Sequence, residues 1–164
     1  INAEITSGDI FARQYKARGV EFEGTYYAGN FSISGNATWT DAEIKKDLNN
    51  PVVIGNTPRR QADVIFSITP EYSTDNVVIG ANLVGSTDYY VQDANLLKQN
   101  GYTLVNLYFN YYLTDDLKLS LNINNAFDEF IITESEEAFA NTGDIIRARP
   151  LNGRSSSLGL RYSF

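Results

Sequence analysis

Acidic side chains recur on one face of two alternating stretches of the sequence, a pattern that could supply acid–base chemistry. Glu21 and Glu23 share one predicted face, and Asp63 and Glu71 share another. Paired carboxylates can act as general acid and general base when their pKa values differ. Polar groups that line a wet lumen explain the same spacing, and we favour that interpretation. An enzyme that depends on Glu21 or Asp63 is therefore our third hypothesis, and we predict no catalytic residue.

An acidic stretch and an arginine cluster are the next candidates for chemistry. Residues 133–139, TESEEAF, lack the Asp-x-Asp-x-Asp-Gly spacing of a Ca²⁺ loop. Thr133 and Glu136 are instead spaced like a capping box, which predicts a short helix. The arginines could clamp an anionic ligand such as a ferric chelate, although charge balance with nearby carboxylates is the simpler explanation. The arginines are Arg147, Arg149 and Arg154, and the carboxylates are Glu134, Glu136, Glu137 and Asp144.

Tyr89 and Tyr90 could stack on a sugar or catechol ring, or they could anchor the chain at a membrane interface. The interface role is the simpler of the two.

The composition excludes several classes of site. The chain has no cysteine and no histidine, which removes thiolate metal ligands, imidazole ligands and the Ser-His-Asp triad. A net charge of −7 argues against a nucleic-acid partner, because phosphate binding requires clustered Lys and Arg. We therefore predict no metal, no cofactor and no nucleic acid. No apolar run is long enough for a transmembrane helix.

Alternation of apolar and polar residues predicts an all-β fold. In residues 31–39, FSISGNATW, every odd-numbered side chain is apolar or small, and residues 117–124, LKLSLNIN, repeat the pattern. Residues 62–72, ADVIFSITPEY, also alternate, with Ile65 as the exception. Similar stretches predict seven strands at 10–28, 31–41, 60–73, 76–88, 101–113, 116–130 and 154–164.

The connections between these strands alternate between short polar turns and long loops. The long connections, at 42–59, 89–100 and 131–153, would all lie at one end of an up-and-down sheet. Outer-membrane barrels show this asymmetry. Aromatic residues cluster near both strand ends, as expected for interfacial girdles. They are Tyr26, Tyr27, Phe31, Tyr72, Tyr111, Tyr112, Tyr162 and Phe164 near the short turns, and Trp39, Tyr89, Tyr90, Tyr102, Phe127 and Phe130 near the long loops.

A soluble β-sandwich used for ligand binding or adhesion is the alternative to a membrane barrel, because its core could bury the same apolar stripe. Strands of ten or more residues and the one-sided loops favour the membrane. Seven strands would leave two open edges in lipid, and the chain contains no methionine. We therefore expect residues 1–164 to be the C-terminal part of a larger barrel.

Several stretches resemble the TonB-dependent receptors of the Gram-negative outer membrane. Residues 17–26, ARGVEFEGTY, resemble a strand with the family's GvE pattern. Residues 120–131, SLNINNAFDEFI, resemble its penultimate strand, with Ala126 in place of the usual leucine. Residues 153–164, GRSSSLGLRYSF, resemble its last strand, and residues 58–72 resemble a proline-led strand. The resemblance covers about residues 10–164.

This resemblance implies the last seven strands of a transmembrane barrel of about 22 strands with a plugged lumen. It implies uptake of a scarce ligand, such as a ferric siderophore, cobalamin or a saccharide. It also implies an upstream plug domain with a TonB box, which would meet an inner-membrane coupling protein; none of these lies in this chain. The family's last strand further implies that Tyr162 and Phe164 form a signal for the barrel-assembly machinery.

Overall fold

A single antiparallel sheet of eight strands makes up most of the computed structural model, which describes residues 2–6, 9–135 and 147–164. Two two-stranded sheets and a one-turn 3-10 helix, Pro51–Val53, lie in the connections. The main sheet runs in the order β1-β2-β3-β4-β5-β8-β9-β12. Its strands are β1 (Asn2–Thr6), β2 (Asp9–Ala28), β3 (Phe31–Asp47), β4 (Val64–Ser73), β5 (Val77–Ser86), β8 (Tyr102–Tyr112), β9 (Leu117–Asn124) and β12 (Ser155–Tyr162). The small sheets pair β6 (Tyr89–Tyr90) with β7 (Lys98–Gln99), and β10 (Ile132–Ser135) with β11 (Ala148–Pro150).

Register places the apolar side chains of neighbouring strands on one common face. Phe22 pairs with Ala37, and Ala37 pairs in turn with Phe66. Residues directly opposite in an antiparallel pair point to the same side of the sheet, so this face continues from strand to strand. We call it the apolar face. Its members include Val20, Phe22, Tyr26, Phe31, Ile33, Trp39, Phe66, Ile68, Tyr72, Ile79, Leu107, Tyr111, Leu121, Leu158, Leu160 and Tyr162.

The opposite side, which we call the polar face, carries the intervening residues. Glu21 pairs with Thr38 and Glu23 with Asn36, and hydroxyl and amide side chains continue across the sheet. Ile65 is the exception that the alternation predicts, since it pairs with Thr38 on the polar face.

The apolar face is open in the described part of the chain. Phe22 and Leu158 are 69% and 72% exposed, and no second sheet covers either of them. The most deeply buried apolar side chains, Ile44, Val53, Val91 and Ile131, all lie in or beyond the long-loop ends of the strands. The soluble sandwich required two layers around a core, so this alternative is wrong for these residues.

All seven predicted strands are present, but β4 begins at Val64 instead of residue 60, two strands end at other residues than predicted, and one strand is added. β3 continues to Asp47, beyond the predicted residue 41, because the N-terminal part of β2 pairs with it as far as Arg13↔Asp47. β9 ends at Asn124 instead of residue 130, since Asn125 adopts a positive φ of 49°. The predicted first strand also gains a partner, β1, paired at Ile5↔Ile10.

The short turns predicted at one end of the sheet are confirmed. Gly29 takes a φ of 61° in the tight turn between β2 and β3, a conformation that favours glycine. The connections at 48–63 and 87–101 and the described parts of the connection at 125–154 lie at the other end, which we call the long-loop end. Of the predicted girdle residues, Tyr27, Tyr102 and Tyr112 lie on the polar face, because they pair with Ser32, Ser86 and Lys118.

Candidate functional site

Hydrogen bonds between side chains cross the polar face from strand to strand. Asn82 donates through Nδ2 to Thr69 Oγ1 at 3.0 Å and to Ser67 Oγ at 3.3 Å. Ser120 Oγ donates to Asn110 Oδ1 at 2.9 Å. Short hydroxyl and amide groups thus satisfy one another and leave a low, hydrophilic wall suited to a wet interior.

Tyr108 is the largest side chain tied into this wall. Its hydroxyl donates to Glu71 Oε2 at 2.8 Å, and its ring lies across Gly80, where a Cβ would approach the ring to 2.4 Å. Gly80 therefore lets one aromatic side chain of β8 reach across β5 to β4. Of the two carboxylates predicted to share a face, Asp63 precedes β4, and Glu71 lies within β4 and accepts the Tyr108 hydroxyl.

A charged network at the long-loop end joins two strands to two loops. Arg13 Nε donates to Asp47 Oδ2 at 2.7 Å, and Arg13 Nη1 donates to Asp93 Oδ2 at 2.8 Å. Asp47 is 3% exposed, and its other oxygen accepts the backbone N–H groups of Asn49 and Asn50, both at 2.9 Å. Burial alone would raise the pKa of Asp47, but these donors outweigh it and lower the pKa below its ordinary value.

The loops at 48–63 and 87–101 are bonded directly to each other. Asn95 accepts from the Thr57 N–H at 3.0 Å and donates to the Thr57 carbonyl at 2.9 Å. Asp93 Oδ1 accepts the Arg59 N–H at 2.9 Å, and its carbonyl accepts from Asn56 Nδ2 at 2.9 Å. These two loops therefore form one platform above the sheet. Sequence reasoning missed these bonds, because Asn56, Asp93 and Asn95 stand in no motif.

Glu134 links the platform to the last long loop. Arg60 and Arg149 each place a guanidinium nitrogen 2.9 Å from one of its carboxylate oxygens. Of the predicted arginine cluster, Arg149 thus balances a carboxylate, and the backbone N–H of Arg154 donates to Asp128 Oδ1 at 2.7 Å. Glu136, Glu137 and Asp144 lie outside the described residues.

The helix predicted from the capping-box spacing at Thr133 is wrong over residues 132–135. Thr133 lies in β10, and its hydroxyl donates to the Arg149 carbonyl at 3.1 Å. Pairing with β11 therefore takes precedence over local capping, while Glu136 lies outside the described residues.

Tyr89 and Tyr90 form β6 within the platform and are half-buried. The Tyr89 hydroxyl donates to the Thr133 carbonyl at 2.9 Å, and the Tyr90 carbonyl accepts the Arg60 N–H at 2.7 Å. Both residues therefore connect loops.

The NAFD motif forms a tight structural turn where β9 ends. Asn125 is 3% exposed; it accepts the Glu129 N–H at 2.9 Å and donates to the carbonyls of Glu129 and Asn152 at 2.9 and 3.3 Å. Asp128 takes a φ of 55° and receives the Arg154 N–H next to the start of β12. The motif thus positions the last strand.

Tyr162 and Phe164 stand at the short-turn end of β12. Phe164 is fully exposed, Tyr162 is 63% exposed, and their ring centroids are 6.5 Å apart. The two rings form a small aromatic surface that the rest of the described chain leaves uncovered.

Two kinds of feature are missing from the described ranges. No group of three or more acidic residues is placed to hold a metal ion. No helix in these ranges has the length and apolar character needed to cross a membrane.

Several solved structures share this fold. The siderophore receptor PiuA from Acinetobacter baumannii matches with a TM-score of 0.79 and 21% identity, over 92% of this chain and 22% of that receptor. The ferric yersiniabactin uptake receptor FyuA from Yersinia pestis matches with a TM-score of 0.77 and 19% identity, over 93% and 24%. The ferric citrate transporter FecA matches with a TM-score of 0.72 and 18% identity, over 90% and 24%.

These likenesses show the fold, and the chain spans less than a quarter of the length of each of these three proteins. A sequence comparison with curated proteins finds no match. The family described as "TonB dependent receptor-like, beta-barrel" matches residues 5–126. Since that match covers well over half of the sequence, the chain belongs to the TonB-dependent receptor-like β-barrel family.

Proposed function

We propose that residues 1–164 form the C-terminal part of a closed barrel in the outer membrane of a Gram-negative bacterium. One observation carries the proposal: a single-layer sheet exposes large apolar side chains on one face and polar groups on the other. Lipid is the solvent that suits the first face, and a hydrated lumen suits the second. Open strand edges are not tolerated in lipid, so strands from the rest of the barrel would pair with both edges of the sheet.

The complete receptor would take up a scarce ligand into the periplasm, and a ferric chelate is the ligand class that we favour. PiuA, FyuA and FecA are named for siderophore, ferric yersiniabactin and ferric citrate. Cobalamin and saccharides are the other classes. The platform would meet the ligand first, because it lies at the long-loop end, which faces outward in outer-membrane barrels.

Transport would be driven from the inner membrane through a plug domain and its TonB box, which the family resemblance implies. The barrel wall itself would do no covalent chemistry, because the family is one of receptors and transporters.

Uptake by cells that carry or lack the complete gene tests this function. We expect deletion to abolish uptake of a ferric chelate and to leave cobalamin and saccharide uptake unchanged. Dissipation of the inner-membrane proton gradient should also abolish uptake of the ferric chelate. Loss of cobalamin or saccharide uptake would reassign the ligand. A product that stays in solution without detergent would overturn the membrane position.

We also propose that Tyr162 and Phe164 serve as the recognition strand for the barrel-assembly machinery. Their exposure supports this role, since an aromatic pair that packs on nothing in the folded sheet is available to a partner.

A further inference from the structure

A shallow groove crosses the apolar face where two glycines meet. Gly24 in β2 and Gly35 in β3 are direct partners in register, and Gly35 pairs on its other side with Ile68. Because neither glycine carries a side chain, the surface sinks between the larger residues around them. The groove has a volume of about 370 Å³, and its walls are formed mainly by Phe22, Tyr26, Ile33 and Ile68.

A charged patch lies on the same face, toward the long-loop end. Arg18 and Lys16 precede Val20 in β2 with the same alternation, and they pair with Asp41 and Glu43. Six residues separate Arg18 from Gly24, which is roughly 20 Å along a strand. A tilt near 40° reduces this to about 15 Å of height, half of a hydrocarbon core of about 30 Å. The groove therefore lies about one leaflet below the patch.

The patch has a surplus of cations in a chain whose net charge is −7. It contains Lys16, Arg18 and Lys45 against Asp41 and Glu43. Arg18 contacts Asp41 at 2.9 Å, with the arginine side chain 74% exposed. An exposed pair of this kind contributes only about 0–1 kcal/mol, so a phosphate can compete for the guanidinium.

We propose that the groove and the patch together bind one anionic phospholipid, with an acyl chain against Gly24 and Gly35 and the phosphate on Arg18 and Lys16. A lipid fits better than a protein partner, because one molecule then satisfies an apolar slot and a cationic patch one leaflet apart. The inference rests on the membrane position proposed above, and it adds a specific ligand to the outside of the wall.

Native mass spectrometry of the complete receptor tests the proposal. The receptor is taken from bilayer discs with equal amounts of phosphatidylglycerol and phosphatidylcholine and released into mild detergent. We expect one retained phosphatidylglycerol per receptor. Gly24→Leu should lower the retained fraction about tenfold by filling the groove. The double variant Lys16→Gln with Arg18→Gln should lower the preference over phosphatidylcholine about tenfold.

Ala28→Leu is the matched control, because Ala28 lies on the same strand and face but outside the groove. It should retain lipid as the wild type does. Equal retention by wild type and Gly24→Leu, or no retained lipid at all, would overturn the proposal. A dimer that Gly24→Leu disrupts would do so too, by assigning the groove to a second copy.

Ferric-chelate uptake, measured on the same variants, separates this inference from the proposed function. A receptor that retains the lipid but transports no chelate contradicts only the transport function. A receptor that transports the chelate but retains no lipid contradicts only the lipid site.

Discussion

Asn125 is the side chain on which the turn after β9 most depends. Asn125→Ala would remove three hydrogen bonds at a buried site and place alanine at a φ of 49°. We expect the free energy of unfolding to fall by about 2 kcal/mol, because buried backbone groups lose their hydrogen-bond partner. The left-handed backbone conformation should lower it by about 1 kcal/mol more. Thermal unfolding of the complete receptor in detergent measures this combined loss of stability.

Asn125→Gly separates the two contributions, because glycine tolerates the backbone angle but makes no side-chain bond. It should be the more stable of the two variants. If alanine and glycine destabilise equally, backbone strain at Asn125 is not a factor.

Asp47 should make the platform sensitive to acid. Its pKa is lower in the folded chain than the ordinary value of 3.8, so its carboxylate stabilises the fold fully above that value. The stabilisation is lost as the pH falls through the folded-state pKa. We expect protection from hydrogen exchange at residues 48–50 to decrease below about pH 4. Asp47 lies well beyond Trp39, outside the apolar band.

Asp47→Asn is the control for this pH dependence, because it removes the titrating group at nearly constant shape. It should show weaker protection at neutral pH and no further decrease in acid. An acid transition of the same size in Asp47→Asn would assign the effect to another group.

Strands β4, β5 and β8 are linked where the Tyr108 ring crosses Gly80 and its hydroxyl reaches Glu71. In Gly80→Ala the new Cβ would approach the Tyr108 ring to 2.4 Å and the Pro70 carbonyl to 2.8 Å. The Tyr108 ring must then move away from Glu71, while the close approach to the Pro70 carbonyl remains. We therefore expect the free energy of unfolding to fall by about 2 kcal/mol. Thermal unfolding of the complete receptor, monitored by circular dichroism, measures it.

Gly159→Ala provides the comparison on the same face, because a Cβ at Gly159 meets nothing within 4 Å. It should leave the unfolding temperature unchanged. If Gly159→Ala destabilises as much as Gly80→Ala, loss of glycine itself would explain both results.

The strands could be predicted from the sequence because one side of the sheet is apolar over its whole width. Alternation of period two fixes which residues share a face, and it identified even the exception at Ile65. It could not show where β3 ends, since the apolar residues change face after Trp39, at Ala42 and Ile44, and pairing with β2 is what keeps this segment extended. The contacts within the platform could not be predicted either, because Asn95 and Asp93 bind loop backbone more than thirty residues away in the sequence.

At the scale of the whole molecule, assembly and folded stability place different demands on the last strand. Phe164 is fully exposed and contributes little packing to the sheet. We expect Phe164→Ala to reduce severalfold the amount of complete receptor folded in the outer membrane. The purified variant should still unfold at the wild-type temperature. Heat-modified migration in gel electrophoresis measures the amount of folded receptor, and circular dichroism measures the unfolding temperature.

Leu158→Ala distinguishes recognition from simple lipid contact. Leu158 lies on the same strand and the same apolar face, is 72% exposed, and pairs with Leu121 in the middle of β9. If the terminal aromatic ring is recognised during assembly, Leu158→Ala should assemble nearly as well as the wild type, although it also loses apolar area. Equal defects in Leu158→Ala and Phe164→Ala would mean that apolar area alone governs the yield, and the recognition role of Tyr162 and Phe164 would fall.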